Sequence, residues 1–279
     1  MAAGFTAAPA PRPGRIISTS PNVTEILYGV GAFDRVIAVS DFCTYPPAVK
    51  SLPRIGGWDK PSLEKLVTLR PDLVIFTEVQ APFLQDQLSQ LNINTLVVPG
   101  RNLGDVFSAI TEIGHATGDE REAARLNGSV KATLDRVRER ARRLPQVRTM
   151  CVVDRTPGTL RDLYVVAKGS YLADLIELAG GAVIGPESKE GYERISKEAV
   201  VRLNPEAIFD FFHAPKGAFA EDEVATWQEL AELDAVKKRR VYPIHDEFVV
   251  HSSQMVAKTA ILFARLLHPN VPASEWGNP

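Results

Sequence analysis

The sequence predicts an α/β protein laid out as lobe, helical connector, lobe, and three observations carry that prediction. Short β-rich runs alternate with helical patterns along most of the 279 residues. A long proline-free amphipathic stretch interrupts the alternation near the middle. A helix–turn–strand pattern recurs on both sides of it at one constant offset.

In the first block, RIISTS (15–20), VIAVS (36–40), LVIFT (73–77) and NTLVV (94–98) have the near-continuous apolar character of strands buried on both faces. Ser20 followed by Pro21 is helix-start chemistry, a capping hydroxyl and then a ring-fixed φ at the first helical position. Gly29 and Gly31 supply the stop. The alternation returns in TMCVVD (149–154), LYVVA (163–167), AIFDFF (207–212) and RVYPI (240–244). A last amphipathic helix is expected from about Ser252 to Leu267, ending before Pro269.

Between the blocks, Asp119 to Leu144 contains no proline, and apolar residues fall at Leu126, Val130, Leu134, Val137, Ala141 and Leu144. That spacing draws one stripe along a long helix. Its basic end, RERARRL, has acidic residues interleaved and reads as a solvated face rather than a nucleic-acid patch. The boundaries that follow are an N-terminal α/β lobe over 15–117, a connecting helix over 118–145 and a C-terminal α/β lobe over 146–279.

The repeat ties the two lobes together. PSLEKLVTLRPDLVIF (61–76) and ISKEAVVRLNPEAIFD (195–210) pair Ser62 with Ser196, Glu64 with Glu198, Leu69 with Leu203, Pro71 with Pro205 and Asp72 with Glu206. Every pair is separated by the same 134 residues, 196 − 62. Each copy reads as a Ser-capped short helix, a Pro-Asp/Glu turn and a buried strand.

Composition excludes several classes. Apolar residues make up 45% and charged residues 24%, and 32 Lys plus Arg against 34 Asp plus Glu leave a net charge of −2, so neither nucleic acid nor an anionic membrane is an expected partner. Cys43 and Cys151 cannot build a disulfide framework or a four-thiolate zinc site. The most apolar stretch, MVAKTAILFARLL, is broken by Lys258 and Arg265 and does not span a bilayer. The leader MAAGFTAAPAPRPG lacks a basic region followed by an apolar core. It reads as a tether or the remnant of processing, or as the frayed end of a cytosolic protein.

Phe42, Tyr45 and Trp58 lie in segments dense in Pro, Gly and Asp, which read as loops at strand ends, where open α/β sheets bind ligands. Each could equally fill a lobe core. His245 with Asp246, Glu247 and His251 could suggest a metal site, but His115, His213 and His268 show no ligand spacing, so His245 reads as a loop residue. Cys43 has no accompanying His or Asp pattern and reads as a small packed residue. The phosphate-cradling, dinucleotide, nucleophile-elbow and zincin motifs are all missing, which lowers the odds of an enzyme.

SPNVTEILYGVG after the first strand, then VSDFCTYPP, then RIGGWDKPSLEKLVTLRPDLVI, resemble the periplasmic cobalamin- and siderophore-binding proteins of ABC importers, and within them the cobalamin binders. The resemblance runs from residue 15 to about 267. It implies two Rossmann-like lobes joined by one long helix, with the ligand held in a cleft between them. By alignment, Phe42 falls on a ligand-contacting Tyr, Trp58 on a cleft Trp and Tyr192 on a Trp of the opposite lobe. Asp246, Glu247 and Phe248 fall in a loop at the ligand's edge. The family's Arg near that loop is Val250 here, and a second Trp is replaced around Thr77. An apolar macrocycle fringed with amides suits flat aromatic walls with a few polar groups. Glu64 and Glu198 match two glutamates that dock on arginines of a dimeric permease.

The resemblance thus implies a monomeric, non-enzymatic substrate-binding protein, periplasmic or anchored to the cell envelope. It would carry a corrinoid, with no resident cofactor and no metal. An iron–siderophore or heme carrier is the alternative within the family. A cytosolic α/β enzyme is the alternative outside it, and a converging acid/base pair would mark that enzyme.

Overall fold

The apolar runs that need burial on both faces become the strands of two separate sheets. A computed structural model describes residues 12–186, 188, 191–211 and 223–277. The leader through Pro11, Phe212 and His213 lie outside the described residues. The chain divides into two compact units, one reaching to Pro99 and adding Ser108–Leu126, the other made of Gly100–Phe107 and Asn127 onward.

The first unit runs β1 (Ile16–Ser18), α1 (Pro21–Gly29), β2 (Val36–Val39), α2 (Leu63–Thr68), β3 (Leu73–Thr77), α3 (Ala81–Gln90) and β4 (Thr95–Val98). All pairings are parallel, in the order β2-β1-β3-β4. Ile17, Ala38, Val74 and Phe76 of the strands pack with Ile55, Leu66, Leu84 and Leu88 into one core. From β1 the chain crosses first to β2 on one side and then back over β1 to β3 on the other, which places the topological switch point between β1 and β3.

Two helices follow, α4 (Leu103–Thr117) and α5 (Glu120–Ala141). They meet closely: a Cβ on Gly114 would lie 2.3 Å from that of Ala123, so only glycine fits. Arg35 donates to the Thr117 carbonyl at 2.8 Å and pairs with the Asp119 carboxylate, pinning the bend between them. The proline-free stretch is therefore mostly α5, and the chain passes between the units after Pro99, after Phe107 and after Leu126. Val130, Leu134, Val137 and Ala141 form the buried stripe. The basic end is solvated and paired, Arg138 with Asp135 at 2.8 Å and Arg142 with Glu139 at 3.0 Å.

The second unit continues with β5 (Val147–Asp154), β6 (Leu163–Val166), α6 (Tyr171–Leu178), β7 (Gly181–Val183), β8 (Tyr192–Ile195), α7 (Lys197–Leu203) and β9 (Ala207–Phe211). Then come α8 (Glu223–Thr226), α9 (Asp234–Lys237), β10 (Val241–Ile244) and α10 (Val256–Leu267). Its sheet has the order β10-β9-β5-β6-β8, with β7 on the first half of β5. β10, β9, β5 and β7 are parallel, whereas β6 and β8 add an antiparallel ribbon. The short Gly181–Val183 and the half-exposed YERI of β8 have no apolar run, which is why the sequence pattern shows neither strand.

The two repeat copies share one local geometry. Ser62 caps α2 by accepting the Lys65 N–H, and Ser196 caps α7 by accepting the Ala199 N–H, each at 3.3 Å. Both helices end in a left-handed residue, Arg70 (φ 45) and Asn204 (φ 41), again 134 apart. Asp72 then accepts the Gly14 N–H at 2.9 Å and Glu206 the Arg148 N–H at 3.2 Å, before β3 and β9 enter their sheets fully buried.

Candidate functional site

In the first unit the loops that leave the carboxyl end of the sheet carry the aromatic residues. After β2 the chain turns through Asp41 and Phe42, and the Asp41 N–H donates to the Gly56 carbonyl at 2.9 Å, which joins this loop to the next. Phe42 is 59% exposed and its ring lies beside Gly57. Tyr45 is 37% exposed and packs edge-on against Tyr28, with ring centroids 5.3 Å apart. Arg54 holds the loop from within, donating at 2.8 Å to the carbonyls of both Ser40 and Cys43.

Trp58 sits half-buried at the tip of a short excursion closed by a bridge between Gly56 and Pro61. Gly56 has φ +103, and a Cβ there would approach the Lys60 carbonyl oxygen to 3.2 Å, so the tight closure needs glycine. The structure thus brings Phe42 and Trp58 onto adjoining loops. It places Tyr45 against Tyr28, on the same loop as Phe42.

A residue that sequence reasoning missed lies beneath them. Gln80 is fully buried between the carboxyl ends of β1 and β3. Its Oε1 accepts from Thr19 Oγ1 at 2.9 Å and from the Thr77 N–H at 3.1 Å. Its Nε2 donates to the Trp58 carbonyl at 2.9 Å and the Thr19 carbonyl at 3.3 Å. Thr77, where the resemblance has an aromatic residue, is itself buried and also donates to Gln80 through Oγ1 at 3.3 Å.

Cys43 is a packed residue. Its sulfur lies 3.1 Å from Thr24 Oγ1 and 3.2 Å from Ser40 Oγ, and burial pushes its thiol above the ordinary range.

The second unit cross-links the equivalent strand ends with charge. Arg155, just after β5, places Nε 3.1 and 3.0 Å from the two carboxylate oxygens of Asp210 in β9, and its Nη2 lies 2.9 Å from Oδ2. Both side chains are buried, and Trp227 adds an indole N–H to Oδ2 at 2.8 Å. Sequence distance hid this cluster, because no local motif joins residues 155, 210 and 227.

The remaining second-unit residues are spread apart. Tyr192 opens β8 opposite Val166, half-buried, and stacks on Tyr164 at 5.8 Å; burial raises its hydroxyl pKa well above the usual value. Asp246 and Glu247 are exposed and Phe248 half-buried, in the turn after β10. β8 and β10 are opposite edges of the sheet, so the structure does not bring Tyr192 together with this turn. His245 Nε2 lies 3.4 Å from a Glu223 carboxylate oxygen. No group of three or more His, Cys, Asp or Glu among the described residues is placed to hold a metal ion.

Glu64 and Glu198 are exposed, each at the second position of its Ser-capped helix. The Ser196 hydroxyl and the helix-start N–H lower the pKa of Glu198. One turn on, Val67 and Val201 are exposed at equivalent positions, 44% and 37%.

No helix among the described residues is long and apolar enough to cross a membrane. By sequence, the chain is 28% identical over 263 residues to an uncharacterized ABC transporter substrate-binding lipoprotein, YvrC, of Bacillus subtilis, covering 92% of this chain and 81% of that one. It is 27% identical over 201 residues to a vitamin B12-binding protein of Vibrio vulnificus, covering 72% of each. In fold it is similar to a periplasmic heme-binding protein from Pseudomonas aeruginosa, with a TM-score of 0.81 at 21% identity over 93% and 94% of the two chains. The family described as periplasmic binding protein matches residues 16–248, from the first strand through the turn that holds Asp246, Glu247 and Phe248. With both sheets inside that match, the chain belongs to the periplasmic binding protein family.

Proposed function

We propose that this chain is the substrate-binding component of an ABC importer, working in the periplasm or anchored to the cell envelope, and that its ligand is a corrinoid of the cobalamin type. The observation that carries the reading is the aromatic surface of the first unit. Phe42, Tyr45 and Trp58 stand on loops at the carboxyl end of a parallel sheet, and Phe42 is left 59% exposed. A monomer gains nothing in stability by exposing such a ring, whereas a flat, largely apolar macrocycle gains apolar contact from it. The relationship to a vitamin B12-binding protein supports the corrinoid over other flat ligands. Tyr192, Asp246, Glu247 and Phe248 are the contacts proposed for the second unit.

Glu64 and Glu198 are proposed to dock the importer. Each is an exposed carboxylate with an exposed valine one turn further along, in a matching local frame on its own unit. Two such faces suit a dimeric permease that offers one arginine per subunit, as charge-assisted pairs.

Calorimetric titration with cobalamin, heme and a ferric siderophore in parallel tests the ligand. Cobalamin is expected to bind most tightly. Tighter binding of heme or the siderophore replaces the ligand and keeps the carrier role; failure of all three to bind removes the ligand reading.

A further inference from the structure

Burying a side-chain amide costs free energy unless each polar atom finds a partner. Leu or Met would fill the volume of Gln80 without that demand. Gln80 is nonetheless fully buried and engaged on both atoms, accepting from Thr19 and Thr77 and donating to the carbonyls of Thr19 and Trp58. The orientation of the amide is fixed by its partners, since the Thr77 N–H only donates and the Trp58 carbonyl only accepts. The backbone is anchored as well. Gln80 N–H donates to the Thr77 carbonyl at 2.9 Å, and the Gln80 carbonyl accepts from Phe83 at 3.0 Å at the start of α3.

The partners are not scattered. Thr19 follows β1 and Thr77 ends β3, the two strands that flank the switch point, while Trp58 is the tip of the neighbouring loop. One buried amide therefore ties a loop tip to the ends of the central strands.

We propose that Gln80 is a positioning residue: it locks the Trp58 loop to the ends of β1 and β3, so that the indole is already set for its ligand in the empty protein. The ligand side of this inference rests on the proposed role of Trp58, whereas the locking itself does not. Pre-setting an aromatic anchor removes the ordering cost that binding would otherwise carry.

The chain's own tryptophans supply the test, because Trp227 and Trp276 are fully buried and Trp58 is the accessible one. Iodide quenching of the ligand-free protein is compared between wild type and Gln80→Leu. The quenchable fraction of the emission is expected to rise in the variant. In calorimetry Gln80→Leu is expected to bind cyanocobalamin about tenfold more weakly, the scale of one well-placed hydrogen bond. The same substitution made in a Trp58→Ala background is expected to change affinity no further. Should Gln80→Leu fail to fold, Gln80→Met keeps the unbranched length of the side chain and offers the Trp58 carbonyl no donor; quenching is expected to rise there too. Unchanged quenching in the folded variant overturns the proposal. So does an equal loss of affinity in the Trp58→Ala background, which would mean that Gln80 acts on the fold at large. If Trp58→Ala leaves cyanocobalamin affinity unchanged, or the wild type does not bind it, the ligand reading fails instead, and quenching alone decides whether Gln80 holds the loop.

Discussion

Trp58 differs from Trp227 and Trp276 in its surroundings, not in its chemistry. The latter two are fully buried, while Trp58 rides a four-residue tip over the end of a sheet. Removing its indole should therefore cost binding rather than fold: Trp58→Ala is expected to weaken cobalamin binding by about 2–4 kcal/mol in calorimetry, the range of a central aromatic anchor. The melting temperature should barely move. A large fall in melting temperature with unchanged affinity would place Trp58 in the core. Asp210 is the opposite case, because its charge is buried against Arg155 and under the Trp227 N–H. Asp210→Ala withdraws the Asp210 charge from a buried guanidinium and is expected to cost about 3–5 kcal/mol in urea unfolding. Loss of under 1 kcal/mol would show that solvent reaches the pair. The aromatic loop residues were legible in the sequence because turn-rich segments announce themselves locally. Gln80 and the Arg155–Asp210 pair were not, since their partners lie up to 61 and 55 residues away and share no period.

At the level of elements, the repeat is the part read most fully from sequence. Its serine caps, its turns and its strands β3 and β9 all fall at the 134-residue offset, because each feature is set by a residue inside the segment. The left-handed corner was not anticipated, and the two copies build it differently. Arg70 sits at φ 45 as an exposed residue, so Arg70→Gly is expected to be neutral to stabilising by up to about 1 kcal/mol, as strain relief outweighs the added freedom of the unfolded chain. Asn204 at φ 41 also accepts the Asp234 N–H through its side chain at 2.9 Å, so Asn204→Gly is expected to destabilise despite the same backbone relief. Chemical unfolding of the two variants checks the contrast, and equal signs would refute it. The same helices carry the proposed docking carboxylates. Glu64→Gln with Glu198→Gln is expected to abolish most importer binding while ligand affinity and melting temperature stay nearly constant; a normal transport rate in the double mutant would end that role. β7 and β8 escaped sequence reading because a glycine-led triplet and a polar edge strand take their structure from neighbours.

For the molecule as a whole, His268 couples folding to pH near neutrality. Its ring is buried, stacks on Trp276 at 5.8 Å and shares a 3.2 Å hydrogen bond with the Ala179 carbonyl. Burial holds its pKa below the ordinary value, with the charge of Arg240 acting in the same direction. The unfolded chain therefore takes up a proton at about pH 6.5 and the folded chain only at a lower pH. The stability that this difference contributes is fully present above that pH and is lost as pH falls through about 6.5. His268→Gln should flatten this part of the curve, though it can lower the plateau. Glu198, Glu206 and Asp234 have lowered pKa values, so their contributions are lost only as pH falls below about 4.5 and do not overlap this window. An unchanged slope between pH 7 and 5 in His268→Gln would assign the effect elsewhere. The chain passes between the units three times, with Gly100–Phe107 grouped with the second and Ser108–Leu126 with the first. Finally, the paired corners make the protein its own control for what sequence identity measures. Lys65 of one copy matches Ala199 of the other, Arg70 matches Asn204 and Asp72 matches Glu206, yet both corners hold a left-handed residue at the same place. Two corners of one chain that differ in side chain keep the same left-handed turn, so a difference in sequence at such a position does not by itself imply a difference in shape.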